Sequence, residues 1–273
     1  MSPCTWPSRP TPPSPAGRKR HAKTDKTDCR HLRRLLAEGR LPECWIPPGH
    51  ILECGALLEL YNDLRAEHTA WAQRIHAVLF YQGAPALGEG ALRSEQGVAA
   101  AREAAAAHLS PAGQAQVATA LEVTAALEAR LHVLRHQLRD AARHLTGAKV
   151  LAARLYGVGP VTALALTCWL GGAGRFSSSR KAVRFAGLDI TVYSSDGKGP
   201  PGRLSRRGPP VLRWAAYEAA KTHARSAAPD HAYYAAVKDR NGGKRAALSE
   251  ARKIIRQACH ILTELGDDAL APA

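Results

Sequence analysis

Residues 151–163 read LAARLYGVGPVTA. The first part is helical in character, Gly157 and Gly159 interrupt it, and Pro160 starts a second helix. Proline suits that place because its missing N–H costs nothing in the first helical turn. A helix, a tight glycine turn and a second helix have the form of a helix-hairpin-helix. Glycines there let the backbone come close to a phosphate, and the N–H groups opening the second helix point at it. Such a unit grips the nucleic-acid backbone without reading sequence. An ordinary turn between two packed helices accounts for the same residues, so the surrounding sequence has to decide.

Downstream, the stretch Arg175 to Arg225 holds 11 Lys and Arg against 3 acids. A short helix is expected at Arg180–Gly187, strand character at Ile190–Ser195, and a polar, glycine-rich, basic loop at Ser194–Gly208. Three helices follow, near Pro210–Ser226, His231–Arg240 and Arg245–Leu265. In the loop, Ser194, Ser195, Lys198, Arg203, Arg206 and Arg207 crowd together. A serine hydroxyl can attack a phosphodiester and keep the strand as a phosphoserine ester, which stores the bond for rejoining. The charge growing on the phosphoryl oxygens needs cations, and Arg is always charged and bidentate. The same residues also suit a loop that binds phosphate or becomes phosphorylated.

Upstream, two long helices are expected. Leu57, Tyr61, Leu64, His68, Trp71, Ile75 and Val78 step by fours and threes, and so do Leu127, Leu131, Leu134, Leu138, Ala141 and Leu145. Alternating steps form a heptad seam. Either the seams pair two copies of the chain as a coiled coil, or they pack on each other within one. Between them lie a turn-rich Gln82–Gly90 and an Ala-rich helix near Val98–Leu109, with Ser110-Pro111 as the boundary. Further back, a helix near residues 25–39 carries Asp25 and Asp28 on one face. That pair could hold a divalent metal through oxygen ligands, or serve as first-turn acids at the helix N-terminus. Residues 1–20 are Pro- and Ser-rich and read as disordered.

Composition bounds these readings. The 273 residues are 45% hydrophobic but only 5% aromatic, with much of the apolar content Ala and Leu, which favours helices. No run of eighteen apolar residues occurs, so no transmembrane helix is expected. The N-terminus lacks the apolar segment of a secretory signal. Six scattered cysteines without CxxC pairs read as reduced thiols of a cytosolic protein. Cys29, His31, Cys44 and Cys54 match no common zinc spacing. The net charge of +15 sits at the ends: residues 1–34 carry 9 basic and 2 acidic residues, 35–148 carry 9 and 12, and 149–273 carry 20 and 9. Concentrated positive charge implies a polyanion partner, most simply nucleic acid. A GC-rich genome, rich in Arg codons, is the bland alternative.

Five stretches together resemble the insertion-sequence 110/116/902 transposase family. Four follow its C-terminal domain in order and spacing: GVGPVTALAL (157–166), GRFSSSRKAVRFAGL (174–188), GRLSRRGPPVLRWAAYEAA (202–220) and GGKRAALSEARKIIRQACHIL (242–262). The fifth is KTDKTDCRHLRRLLAEGRLPECWIPP (23–48), followed by the coiled-coil region. The resemblance implies an RNase H-like domain with an Asp-Glu-Asp-Asp metal site for Mg2+. A coiled coil would join it to a helical domain with a nucleophilic serine. It further implies homo-oligomers acting on DNA in the bacterial cytoplasm at the nucleoid, guided by a structured RNA. Asp25 and Asp28 match the third and fourth acids, and Ser195, seven residues after Leu188, matches the serine, with Ser194 adjacent.

The first Asp and the Glu of that set have no counterpart, because the 24 residues before Asp25 contain no acid. No strand set for an RNase H-like sheet is found, and Cys29 stands where the family usually has Ala. The expectation is a truncated copy with an incomplete Mg2+ site. It should be mainly α: a Pro-rich 1–22, an RNase H-like remnant at 23–48, a coiled-coil region at 49–148, a helix-hairpin-helix domain with the serine loop at 149–266, and a tail at 267–273. The expected function is DNA binding and serine-mediated strand exchange, inactive alone. A non-enzymatic helix-hairpin-helix nucleic-acid-binding protein is the alternative.

Overall fold

The computed structural model describes residues 25–41, 44–88, 90–190, 202 and 204–272. The chain divides into two units, Met1–Ile46 and Pro47–Ala273. In the first, the described residues form one helix, α1 (Asp25–Ala37), with Asp25 and Asp28 in its first turn. Acids there complement the helix dipole.

The second unit begins with a long antiparallel hairpin of α2 (Gly49–Tyr81) and α4 (Pro111–Arg143), with α3 (Glu95–His108) between them in sequence. The helix starts are written in the sequence. The Ser94 and Ser110 hydroxyls each accept a hydrogen bond from the backbone N–H three residues on, at 3.2 Å, and Pro111 fills the first turn of α4. The antiparallel register shows in two cross-links. Arg135 Nε donates to the Tyr61 hydroxyl at 3.4 Å, and His68 Nε2 lies 3.8 Å from Glu128 Oε2.

The heptad seams therefore meet each other inside one chain. Leu131, Leu134 and Leu138 share a buried cluster with Ile51, Leu58 and Tyr61. Towards the far end, Ile75 and Leu79 pack with Val117, Ala120 and Leu121, and Ala105 and Leu109 close that end. Of the two expected arrangements, packing within one chain is the one present; Tyr61 and Ile75 of the first seam are buried, while Leu57, Leu64, Trp71 and Val78 are half-buried.

Six shorter helices follow: α5 (Thr146–Arg154), α6 (Pro160–Leu170), α7 (Ser179–Phe185), α8 (Pro210–Lys221), α9 (His231–Asn241) and α10 (Gly243–Leu265). Every residue from Ala163 to Leu170 except Trp169 is buried. A helix apolar on all sides belongs in the middle of a core, and α6 touches α2, α4, α5, α8 and α10. One continuous cluster thus runs from the hairpin into the C-terminal helices, and the boundary expected at 148/149 falls within it. The expected tail is also packed. Ala269 is buried, Leu145 bridges Pro272, and His50 Nε2 meets the Leu270 carbonyl at 2.8 Å.

Among the described residues the fold has ten helices and no strand, only isolated bridges. Of the strand character expected at Ile190–Ser195, Ile190 alone is described, in a single bridge to Leu204. No described helix is long and apolar enough to cross a membrane.

Candidate nucleic-acid interface

Ser195, with Ser194, Lys198 and Arg203, lies outside the described residues. The base of their loop is described, and it is tightly tied. Ile190 bridges Leu204, Ser205 N–H donates to the Asp189 carbonyl at 2.9 Å, and Arg206 N–H donates to the Gly187 carbonyl at 3.1 Å. The Ser205 hydroxyl donates to the Asp189 carboxylate. Backbone approach is closest at Gly208, where a Cβ would fall 2.0 Å from the Phe185 carbonyl oxygen. Arg206 takes a left-handed φ of 52°, a conformation that L side chains rarely adopt. Such strain persists only where surrounding bonds over-determine it, and it concentrates at functional sites.

The cations of this basic stretch divide into two groups. Arg213 on α8 is half-buried and donates to the carbonyls of Gly208 at 2.8 Å and Ala186 at 3.3 Å. Arg252 on α10, also half-buried, donates to the Leu188 carbonyl at 2.7 Å. Burial pushes both guanidinium groups below their usual range, and Arg206 adds to the effect at Arg213. These two hold the loop's ends. Arg206 and Arg207 in the base and Arg180, Lys181 and Arg184 on α7 are exposed, and Arg184 lies 3.9 Å from Asp189. Sequence reasoning treated the stretch as uniformly basic and missed Arg213 and Arg252 as ties. Arg213 lies three residues into α8, beyond the loop, and Arg252 lies outside the basic stretch altogether.

At the helix-hairpin turn the two glycines have separate roles. Gly157 has a φ of +77°, and a Cβ on it would lie 2.0 Å from Thr222 Oγ1 and 2.8 Å from the Ala219 carbonyl oxygen. The space it leaves is filled by the end of α8, so the close approach it permits is internal. Gly159 is exposed with nothing near its Cβ position, and it caps α6. The open side of the first turn of α6, where free N–H groups gather, therefore lies at Gly159.

Asp25 and Asp28 sit on one face of α1, Asp25 exposed and Asp28 partly so. Among the described residues no third carboxylate, His or Cys joins them within ligand distance. They supply less than the four-acid set that the resemblance implies, and they do not by themselves complete a site for Mg2+ with its near-octahedral demand.

A different cluster does come together: His223, just after α8, with Asp230 before α9 and Glu250 on α10. The residues stand 7 and 20 apart in sequence, a spacing without a common pattern. Only the fold places their ligand atoms within 4.8 Å of one another. Burial raises the Glu250 carboxyl above the usual carboxylate range, while His223 and Lys253 oppose the rise.

Residues 150–235 match the family model of the IS116/IS110/IS902 family of transposases. The match takes in the hairpin turn, the loop and its base, α8, and His223 and Asp230. No curated protein matches the chain.

Proposed function

We propose, on the premise that this chain belongs through residues 150–235 to the IS116/IS110/IS902 transposase family, that it binds DNA through the basic loop and exchanges strands through Ser195. The observation that carries the reading is the loop base. Two half-buried arginines and the Ile190–Leu204 bridge fix the ends of the segment that contains Ser195, and the exposed Arg184, Arg206 and Arg207 stand at those ends. A rigid base with a cationic rim is what a phosphodiester needs, since positioned charge on a fixed support costs little reorganisation.

In the chemical step, the Ser195 oxygen forms a bond to phosphorus and the bond from phosphorus to one sugar oxygen breaks. The serine proton passes to a base and the departing sugar oxygen gains a proton. The reverse reaction, with a different strand's hydroxyl attacking, releases the serine and joins the new strand. Arg184, Arg206 and Arg207 are suited to neutralise the phosphoryl oxygens, but arginine cannot serve as the base at neutral pH. We assign the Mg2+ carboxylates to an Asp-Glu-Asp-Asp set in which Asp25 and Asp28 on α1 are two members and an RNase H-like partner domain supplies the rest; a structured guide RNA belongs to this same reading. Covalent trapping of labelled DNA, comparing the parent with Ser195→Ala, with and without such a domain, tests the assignment.

A further inference from the structure

We infer that His223, Asp230 and Glu250 form a binding site for one divalent transition-metal ion, of the size and ligand preference of Zn2+, that braces the back of the hairpin turn. The inference does not rest on the strand-exchange reading, and it uses none of that reading's residues.

The first ground is an unmet bonding requirement. Glu250 is fully buried and His223 nearly so, at 3% exposure. Neither carboxylate oxygen of Glu250, nor His223 Nδ1, has a hydrogen-bond partner among the described residues. A buried carboxylate without hydrogen bonds calls for a cation or a proton.

The second ground is the tautomer. His223 Nε2 faces the Tyr156 carbonyl oxygen at 3.3 Å. A carbonyl only accepts, so Nε2 carries the hydrogen. In the neutral ring the Nδ1 lone pair then points towards the Glu250 carboxylate, and two electron-rich atoms face each other. A ring nitrogen tied to a backbone carbonyl while the other faces carboxylates is the arrangement found in metal-ligating histidines.

The third ground is distance. His223 Nδ1 and Glu250 Oε1 are 3.5 Å apart. A charge-assisted hydrogen bond would be about 2.7–2.9 Å. Two ligand atoms held tetrahedrally by one ion at about 2.1 Å would be about 3.4 Å apart. One imidazole with two carboxylates suits Zn2+ and its neighbours rather than Mg2+, which prefers oxygen throughout.

Lys253 is the competing cation. Its Nζ lies 2.5 Å from Asp230 Oδ1, and its side chain is about one-third exposed. Its flexible stem allows it to withdraw as the ion enters, leaving two carboxylates to balance two positive charges. Through Tyr156 and His223 the ion would tie the turn before Gly157 to α10, holding the hairpin in place.

The test uses the full chain stripped with chelator and titrated with Co2+ and with Zn2+. The expected result is one equivalent of Co2+ per chain, with visible d–d absorption and no thiolate charge-transfer band, and a higher melting temperature with Zn2+. Asp230→Asn, at a partly exposed position, should fold and weaken Co2+ binding by more than about tenfold. Glu250→Gln should do the same. Lys253→Ala should tighten binding, because the competing cation is gone. Absence of a stoichiometric ion would overturn the inference. So would thiolate bands, or an unchanged affinity in Asp230→Asn.

Discussion

Gly157 and Thr222 are packed so that a Cβ on the glycine would sit 2.0 Å from the threonine Oγ1. The Thr222 hydroxyl also donates to the Ala219 carbonyl at 2.7 Å, so it is not free to swing away. The hairpin turn is thereby locked onto α8, whose N-terminal end carries Arg213 and so holds the loop base.

Gly157→Ala should therefore destabilise the fold through two effects. The left-handed φ costs about 1–2 kcal/mol for a residue with a Cβ, and overpacking adds about 1–3 kcal/mol. Gly159→Ala, in open space and with an ordinary φ of −83°, should change stability by less than about 0.5 kcal/mol. Urea melts of the two variants measure the contrast. Thr222→Ala in the Gly157→Ala background should recover the part due to the Thr222 hydroxyl and leave the conformational part and the clash with the Ala219 carbonyl.

Removing Arg203, Arg206 and Arg207 together by alanine substitution should weaken DNA or RNA binding in a salt-dependent way. Each lost phosphate contact lowers the slope of log affinity against log salt by roughly 0.7–0.9. Arg213→Ala should act differently. It leaves the Gly208 and Ala186 carbonyls without their donor and should cost about 1–3 kcal/mol of stability. Affinity measured over a salt series, together with melting curves, separates the two kinds of arginine. An unchanged slope in the triple variant would remove the loop rim from the interface.

The α2–α4 hairpin gives a third expectation. Leu131→Asp and Leu138→Asp put charges into a core where the parent side chains are 3% and 0% exposed. A buried unpaired ion costs several kcal/mol. The chain should unfold rather than dissociate into folded monomers, as circular dichroism and sedimentation would show. Val133→Asp, at a position 49% exposed, should leave fold and mass unchanged.

Much of the helical layout was legible from particular residues. Ser110, Pro160 and Pro210 mark helix starts by local chemistry, and the fours and threes of Leu127 to Ala141 give the buried face of α4. Whether that face met a second chain or α2 was not legible, because periodicity states what is covered and not what covers it. Gly157 and Gly159 looked alike in sequence, and only the position of Thr222 separates them. Arg213 and Arg252 read as further positive charge until their carbonyl partners were placed. His223, Asp230 and Glu250 meet through the packing of α10 against the α8–α9 connection, a tertiary event without a local sequence signal. Ser195 lies outside the described residues, so its role rests on the resemblance and on the loop base that brackets it.

We propose that Ser195 is the attacking group and needs carboxylates from a partner domain to act, and covalent trapping on labelled DNA with Mg2+ decides it. Asp25 and Asp28 alone leave the acid set incomplete, so the chain by itself should give no adduct. With a protein bearing an intact Asp-Glu-Asp-Asp domain, the parent should give a protein–DNA adduct and Ser195→Ala should give none. An adduct from the unaided parent would contradict the need for a partner. An adduct that persists in Ser195→Ala would contradict the serine assignment, and its loss in Ser194→Ala would move the nucleophile by one residue.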